Sequence, residues 1–182
     1  MPARISILNK RLIARARRIR LAIFDVDGVL TDGTVHLGKH GEEIKAFNIL
    51  DGLGLKMLAA SGVTLALLSG RKSSVVALRA RETGIAHVLQ GSTDKLLAYH
   101  RLLRKLKLAE EDTSFMGDDL PDLPVLRRCG LAFSVPEAPQ IVRSHAHYVT
   151  GNGGGRGAVR EACEFLMRAQ GSLEAQLATY LR

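Results

Sequence analysis

The sequence predicts an α/β fold in which a doubly wound parallel sheet is covered by helices on both faces. Short apolar runs alternate with amphipathic stretches along the 182-residue chain, and this succession is typical of parallel sheets. Right-handed crossovers bring the carboxyl ends of such strands to one common edge, where open α/β sheets bind their ligands. The length suits a single compact domain, 1–182, with a substantial core.

Each predicted strand is a short run of apolar and β-branched residues between turn signals. These strands are expected at residues 21–24, 63–68, 87–89, 113–116, 131–133 and 147–149. The helices between them are expected at residues 52–60, 73–83, 94–106 and 120–128. A basic N-terminal helix at 1–20 precedes the core at 21–150, and a glycine-rich loop with C-terminal helices follows at 151–182.

One segment interrupts the alternation directly after the first predicted strand. Residues 34–37 and 43–47 flank a polar turn that has a glycine at each end, Gly38-Lys39-His40-Gly41. This pattern predicts a β-hairpin, which we name the flap, projecting beside the end of that strand. No other stretch is long enough for a second domain that could close over a site, so we expect the fold to lack a cap domain.

The net charge of +8 indicates an anionic partner, which could be nucleic acid, an acidic membrane surface or a small molecule. Aromatic residues make up only 4% and do not interleave with the basic segments, so we expect no nucleic-acid partner. No apolar run reaches membrane-spanning length, so we expect no membrane association. Cys129 and Cys163 have no motif spacing, which predicts buried thiols in a reduced, cytoplasmic chain.

The most informative motif places two carboxylates at alternate positions where the first strand ends. Asp25 and Asp27 follow the apolar run, and Gly28 lets the backbone turn tightly and approach a ligand. A carboxylate pair held in this way can bind a hard cation and let one member attack phosphorus. The structural alternative is an Asp-Gly turn with solvated acids, and three further segments disfavour it.

Two of those segments offer groups that bind phosphate. Ser69 ends an apolar run and is followed by Gly70 and Arg71, so its hydroxyl and the adjacent amides can hold a phosphoryl oxygen. Arg71 can pair with a carboxylate or a phosphate, and Lys95 at a helix start can neutralise a transferring phosphoryl group. The alternatives are a plain N-cap for Ser69 and an ordinary surface lysine for Lys95.

The third segment concentrates three acids within five residues after a buried strand. Asp118, Asp119 and Asp122 would repel one another unless a cation or a base neutralises them. Oxygen donors of this kind suit Mg²⁺, which keeps several waters and shares oxygens of a substrate phosphate. Asp119 and Asp122 can also serve as acids that complement the start of a helix.

Together these segments resemble the haloacid dehalogenase superfamily of aspartate-nucleophile phosphotransferases over residues 21–149. The resemblance implies that Asp25 is the nucleophile and a magnesium ligand. It implies that Asp27 is the general acid and base, with its backbone carbonyl on the metal, and that Asp118 completes the metal site. The further implied roles are phosphoryl binding by Ser69 and Lys95, and orientation of waters or of the lysine by Asp119 and Asp122.

The finer resemblance is to the capless branch that hydrolyses 3-deoxy-D-manno-octulosonate 8-phosphate for lipopolysaccharide precursor synthesis. It is carried by residues 27–33, 45–48, 69–72, 89–91, 117–120 and 154–161. The resemblance implies a tetramer in which the flap meets a neighbouring subunit. It also implies that the glycine-rich segment can reach an adjoining active site. The substrate-binding residues that it implies are Asp27, Asn48, Asp51, Gly52, Arg71, Arg79, Lys95 and Arg156. One departure is Leu50, where the family carries arginine before the Asp-Gly pair.

These observations predict a magnesium-dependent phosphatase that acts on a sugar acid phosphate and assembles as a homo-oligomer, expected to be a tetramer. Two alternatives remain open at this point. One is a phosphatase for a nine-carbon keto-sugar acid 9-phosphate, and the other is a catalytically silent assembly or regulatory domain of the same fold.

Overall fold

The computed structural model describes residues 2–40 and 42–181 and contains a six-stranded, wholly parallel sheet. Its strand order is β5-β4-β1-β6-β7-β8, and a separate antiparallel pair, β2-β3, forms the flap. The strands are β1 Leu21–Phe24, β2 His36–Leu37, β3 Glu43–Ile44, β4 Thr64–Leu68, β5 His87–Leu89, β6 Thr113–Met116, β7 Leu131–Ser134 and β8 Tyr148–Val149.

Helices connect the strands on both faces of the sheet. They are α1 Pro2–Arg18, α2 Ile49–Ala60, α3 Ser74–Thr83, α4 Lys95–Leu106, α5 Leu123–Leu126, α6 Gln140–Arg143, α7 Ala158–Gln170 and α8 Leu173–Ala178. Short 3₁₀ turns lie at Glu110–Asp112 and Leu120–Asp122. This arrangement of helices around a parallel sheet confirms the predicted doubly wound α/β fold.

In the part of the chain that the structure describes, no helix combines the length and the apolar character that a membrane span requires.

The six predicted strands of the main sheet are all present, with ends that differ by one residue at most. The helix predicted at 120–128 is wrong as one element, because it divides into a 3₁₀ turn at Leu120–Asp122 and the short helix α5. Pro121 and Pro124 are the second residues of these two pieces, in the first turn, where the missing amide hydrogen of proline is tolerated. Helix α6 was not predicted, because its four residues are too short for a periodic signal.

The core is centred on β1, whose four side chains are all buried. β1 pairs in parallel with β4 on one side and with β6 on the other. Each fully buried Leu, Ile or Phe stabilises the fold by about 1.5–3 kcal/mol relative to an exposed one. The central position of β1 therefore fixes the point from which the first carboxylate motif emerges.

The flap is a short hairpin that carries apolar side chains into solvent. His36 pairs with Ile44 and Leu37 with Glu43, while Gly41 of the predicted turn lies outside the described residues. The Leu37 and Ile44 side chains are 69% and 66% exposed. The register places Leu37 and Ile44 on opposite faces of the hairpin, so each face exposes one large apolar side chain.

Candidate active site

The chemistry-bearing segments meet at the carboxyl edge of the sheet because β1, β4 and β6 are parallel neighbours in register. Phe24 lies opposite both Leu67 and Met116, so the residues that follow these strands enter the same space. They line a cavity of about 400 Å³. Its lining comprises Asp25, Asp27, Gly33, Ser69, Gly70, Arg71, Ser92, Thr93, Lys95, Asp118, Asp119, Pro121 and Asp122.

Hydrogen bonds to neighbouring backbone groups hold both the amide and the carboxylate of Asp25 in place. Its amide donates to the Met116 carbonyl at 2.9 Å, and its Oδ1 accepts from the Val26 amide at 2.7 Å. Gly28, at φ +84°, closes the turn, and a Cβ added there would stand 2.0 Å from Oδ2 of Asp118. Glycine at this position is therefore what allows the two carboxylate loops to approach each other.

Lys95 connects the first carboxylate motif to the third segment. Its Nζ lies 2.8 Å from Oδ2 of Asp25 and 2.6 Å from Oδ1 of Asp122. The other oxygen of Asp122 accepts from the amides of Asp118 and Asp119, at 3.0 and 3.2 Å. Asp122 thus orients both the lysine and the loop that carries Asp118.

The carboxylates of Asp25, Asp118 and Asp122 offer oxygens that all lie within 4.8 Å of one another. Burial, together with the charge of Asp122, raises the pKa of Asp25 to about 7 despite the opposing effect of Lys95. Burial also raises the pKa of Asp118 to about 7, and the charges of Asp25 and Asp122 add to the rise. Oδ1 of Asp118 is buried and has no hydrogen-bond partner among the described residues. An unpartnered carboxylate oxygen in an acidic cluster fits a hard divalent cation such as Mg²⁺.

Ser69 lies where β4 ends and is buried beside two further hydroxyl groups. Its Oγ accepts from the Arg71 amide at 3.2 Å, and its carbonyl accepts from the Ser92 amide at 3.1 Å. Ser92 and Thr93 line the cavity next to it, although the sequence analysis assigned them no role. Their position in the short loop before Lys95 is the signal that could have identified them.

Asp27 lies in a network of paired charged side chains that the sequence did not predict. Lys45 of the flap contacts its Oδ1, and Arg71 Nε lies 3.8 Å from its Oδ2. Glu43 links the two cations, since its Oε1 is 3.0 Å from Arg71 Nη2 and 3.3 Å from Lys45 Nζ. We name Asp27, Glu43, Lys45 and Arg71 the flap quartet. Charged residues at alternate positions of a predicted hairpin strand are the signal that could have indicated it.

Four predicted substrate-binding residues, Asn48, Asp51, Gly52 and Arg79, line neither this cavity nor the one that adjoins it. The Asp51 side chain does not open to the cavity: the residue is 1% exposed and accepts from the amides of Gly157 and Arg160 at 3.3 and 2.8 Å. Its carboxylate instead satisfies free amides in the first turn of α7.

The other three stabilise the start of α2. Asn48 caps α2 by accepting from the Leu50 amide at 2.8 Å, and Arg79 donates to the Asn48 carbonyl at 3.0 Å. A Cβ on Gly52 would stand 2.3 Å from a guanidinium nitrogen of Arg79, so the absence of a side chain permits this contact. Leu50, which replaces the expected arginine, is 56% exposed and also lies outside the cavity.

Arg156 lies in a second cavity, of about 360 Å³, that adjoins the first. Gly33, Asp118 and Asp119 line both cavities. The glycine-rich loop reaches this position because Gly154 and Gly155 pack against the backbone of Gly28 and Thr31, where any Cβ would collide. The loop therefore supports the turn after Asp27 and presents a cation beside the carboxylate cluster.

Comparisons with known proteins agree with this geometry. The sequence model of the haloacid dehalogenase-like hydrolases matches residues 68–160. The chain is 47% identical to the 3-deoxy-D-manno-octulosonate 8-phosphate phosphatase KdsC of Yersinia pestis over 90% of its length and 87% of that protein.

Two solved structures share the fold. The 3-deoxy-D-manno-octulosonate 8-phosphate phosphatase of Moraxella catarrhalis, solved with magnesium, phosphate and KDO, superposes with a TM-score of 0.92 at 43% identity, covering 94% of this chain and 98% of that one. The cobalt-bound deoxy-D-mannose-octulosonate 8-phosphate phosphatase of Haemophilus influenzae gives 0.88 at 37% identity, covering 92% and 99%.

Proposed function

Because the chain belongs to the haloacid dehalogenase-like hydrolases, and within them to the 3-deoxy-D-manno-octulosonate 8-phosphate phosphatases, we propose that it hydrolyses the phosphate monoester of that eight-carbon keto-sugar acid. The products are the free sugar acid, KDO, and inorganic phosphate. The observation that carries the proposal is the buried contact of Lys95 with Asp25 at 2.8 Å inside the carboxylate cluster. This arrangement pairs a fixed nucleophile with a cation that can receive a phosphoryl group.

The reaction proceeds in two steps that use the same two carboxylates. In the first, an oxygen of Asp25 attacks phosphorus, the bond from phosphorus to the sugar oxygen breaks, and Asp27 gives its proton to that oxygen. In the second, water attacks the aspartyl-phosphate, Asp27 takes a proton from the water, and the bond from phosphorus to Asp25 breaks. Lys95 and the Ser69 hydroxyl bind the phosphoryl oxygens throughout.

The residues of the carboxylate cluster fit magnesium as the cofactor. The side chains of Asp25 and Asp118, with the backbone carbonyl of Asp27, would hold it. When bound, Mg²⁺ neutralises charge on the phosphoryl oxygens. Asp122 is engaged by Lys95 and by two amides, so it acts on the lysine and the Asp118 loop. Asp119, which accepts from the Leu120 amide at 2.8 Å, would orient metal-bound water.

The carboxylate of the substrate is assigned to two arginines beside the cluster. Arg71 lines the first cavity with a half-exposed side chain, and Arg156 lines the adjoining one. Asn48, Gly52 and Arg79 contribute to binding by holding α2, which supports the glycine-rich loop: Nδ2 of the Asn48 side chain donates to the Gly155 carbonyl at 3.3 Å. Asp51 contributes in the same indirect way through α7.

The exposed apolar residues near the site support a homo-oligomer, and we propose a tetramer. The candidate contacts with neighbouring subunits are Leu37 and Ile44, on opposite faces of the flap, and Ile49 and Leu50 of α2. The variant Leu37→Ser/Ile44→Ser should lose assembly and turnover together in sedimentation and activity assays. A folded, fully active monomer would contradict the tetramer. The free thiols of Cys129 and Cys163 support the cytoplasm as the location.

The experiment that tests the function compares phosphate release from the eight-carbon 8-phosphate and from a nine-carbon keto-sugar acid 9-phosphate. Each is assayed with Mg²⁺ and with a chelator, and Asp25→Asn is the matched control. We expect magnesium-dependent release that favours the eight-carbon substrate. Preference for the nine-carbon substrate would move the assignment to that class, and no release from a folded protein would indicate a silent domain.

A further inference from the structure

The flap presents two charged side chains, Glu43 and Lys45, to its own catalytic edge. Resting on the proposed function, we propose that Lys45 is a positioning residue that orients the Asp27 carboxyl for proton transfer to the leaving oxygen. The juxtaposition that carries this is the contact of the Lys45 ammonium with Oδ1 of Asp27 at the rim of the cavity.

The burial of Lys45 is the first argument. Its side chain is 0% exposed, and lysine is almost never buried in this way unless it is paired. Its carboxylate partners among the described residues are Asp27 and Glu43. A lysine needed only to hold the hairpin in place could reach solvent, so its enclosure beside Asp27 indicates a role at that carboxylate.

The distribution of contacts over the two Asp27 oxygens is the second argument. Lys45 binds Oδ1, whereas Oδ2 faces Arg71 at 3.8 Å, and both Asp27 and Arg71 line the cavity. Saturation of Oδ1 fixes the rotation of the carboxyl group. It therefore leaves Oδ2 as the oxygen that exchanges a proton with the substrate.

The balance of the flap quartet is the third argument. Glu43 and Asp27 carry negative charge, Lys45 and Arg71 carry positive charge, and the four alternate in space, so each charge is compensated. Glu43 is a second anionic partner of Lys45, at 3.3 Å, and this contact opposes movement of the lysine toward a substrate anion in the cavity.

Different parts of the molecule therefore orient the two carboxylates of the first motif, Asp25 and Asp27. Asp25 is oriented by Lys95 and by the Val26 amide, and it makes no hydrogen bond or ion pair with the described residues of the flap. Asp27 is oriented from the flap. A change at Lys45 should therefore impair protonation of the leaving group and leave the attack by Asp25 largely intact.

The test measures single-turnover release of the leaving group from two phosphates with magnesium present. The sugar acid phosphate needs a proton on its alkoxide, whereas the nitrophenolate of p-nitrophenyl phosphate leaves as a stable anion. Lys45→Met should slow release of the sugar about 100-fold, within the range for loss of a positioned general acid, and release of nitrophenolate less than about fivefold. Lys39→Met, an exposed lysine in the same hairpin, is the matched control and should slow neither. Lys45→Arg should restore part of the sugar release.

Equal slowing of both substrates, or no slowing of either, would overturn the positioning role. If Lys45→Met does not fold, as judged by thermal melting, the same ratio measured on Glu43→Gln decides, with an expected selective loss of about tenfold. If the wild-type protein releases nitrophenolate but not the sugar, the proposed substrate is wrong. The assay thus separates failure of the proposed function from failure of the role of Lys45.

Discussion

The two edges of the parallel sheet carry charge in different ways. At the carboxyl edge, acidic and basic side chains are buried in direct contact, as in the 2.6 Å approach of Lys95 to Asp122. At the amino edge a larger cavity, about 710 Å³ against about 400 Å³, is lined by Arg17, Arg20 and Arg168, and none of the described residues that line it carries a carboxylate. Cavity size therefore does not identify the reactive edge. The reactive edge is identified by buried side chains of opposite charge in direct contact.

The direction of the helices accounts for much of this difference. α3 and α4 begin near the carboxyl edge, whereas α2, α4 and α7 end near the amino edge. Helix N-termini favour anions, and cations near C-termini complement the partial negative charge there. Arg17 acts in this way, since its Nε donates to the Ala169 carbonyl at 3.1 Å. Arg17 thus has a structural explanation that needs no substrate.

The largest expected effect separates the two edges by activity. Asp25→Asn should lower kcat for the sugar acid phosphate by about 10⁴-fold or more, because an amide is a poor nucleophile. Arg168→Met, the matched change at the amino edge, should leave kcat within about twofold, as is usual for a surface substitution. Steady-state kinetics on both variants, with circular dichroism to confirm folding, provides the measurement. More than a hundredth of wild-type turnover in Asp25→Asn would remove it as the nucleophile.

A smaller effect is expected when the metal site alone is weakened. Asp118→Ala should raise the magnesium concentration for half-maximal activity about tenfold or more, since a ligand is lost. Ca²⁺ should inhibit the wild-type protein because it prefers more and longer oxygen contacts. Magnesium titrations of activity test both expectations. Full wild-type activity in a chelator would contradict the metal requirement.

The third prediction concerns pH and the carboxyl edge alone. The pKa values of Asp25 and Asp118 are raised to about 7, so the folded protein holds protons that the unfolded chain releases above about pH 4. Without metal, the free energy of unfolding should therefore fall as pH rises from about 4 to about 7.

Magnesium must displace those protons, so its stabilising effect should grow over the same range. Melting temperatures with and without Mg²⁺ at about pH 5.5 and pH 8 measure this, and the difference should be larger at the higher pH. Asp118→Asn should reduce the pH dependence. An equal magnesium effect at both pH values would show that these carboxylates are not the site.

The smallest expected effect on catalysis is at Asp51, a buried carboxylate that lies away from the cavity. Asp51→Asn should lower the free energy of unfolding by about 1–3 kcal/mol, because the amide accepts more weakly from the first turn of α7. KM and kcat per folded molecule should change little. Denaturant unfolding and kinetics on the same preparation check this, and a large rise in KM with unchanged stability would restore direct substrate contact.

The predictable parts of this molecule are those that local sequence determines. The buried strands follow from short apolar runs, and the convergence of Asp25, Ser69 and Asp118 follows from the parallel order of β1, β4 and β6. The contact of Lys45 with Asp27 was not predictable, because it depends on how the flap folds back over the strand end. Capping of α7 by Asp51 joins residues 109 positions apart, and no periodicity reports such a contact.

The most direct test of the central claim, that Asp25 carries the phosphoryl group, is to trap the intermediate. The protein is mixed with the sugar acid phosphate and Mg²⁺, quenched during the first turnover and reduced with borohydride, which converts an aspartyl-phosphate to homoserine. Peptide mass spectrometry then locates the reduced residue. The account predicts homoserine at position 25, absent when substrate is omitted. Reduction at position 118 or 27 instead, or no reduced residue despite a burst of released sugar, would contradict it.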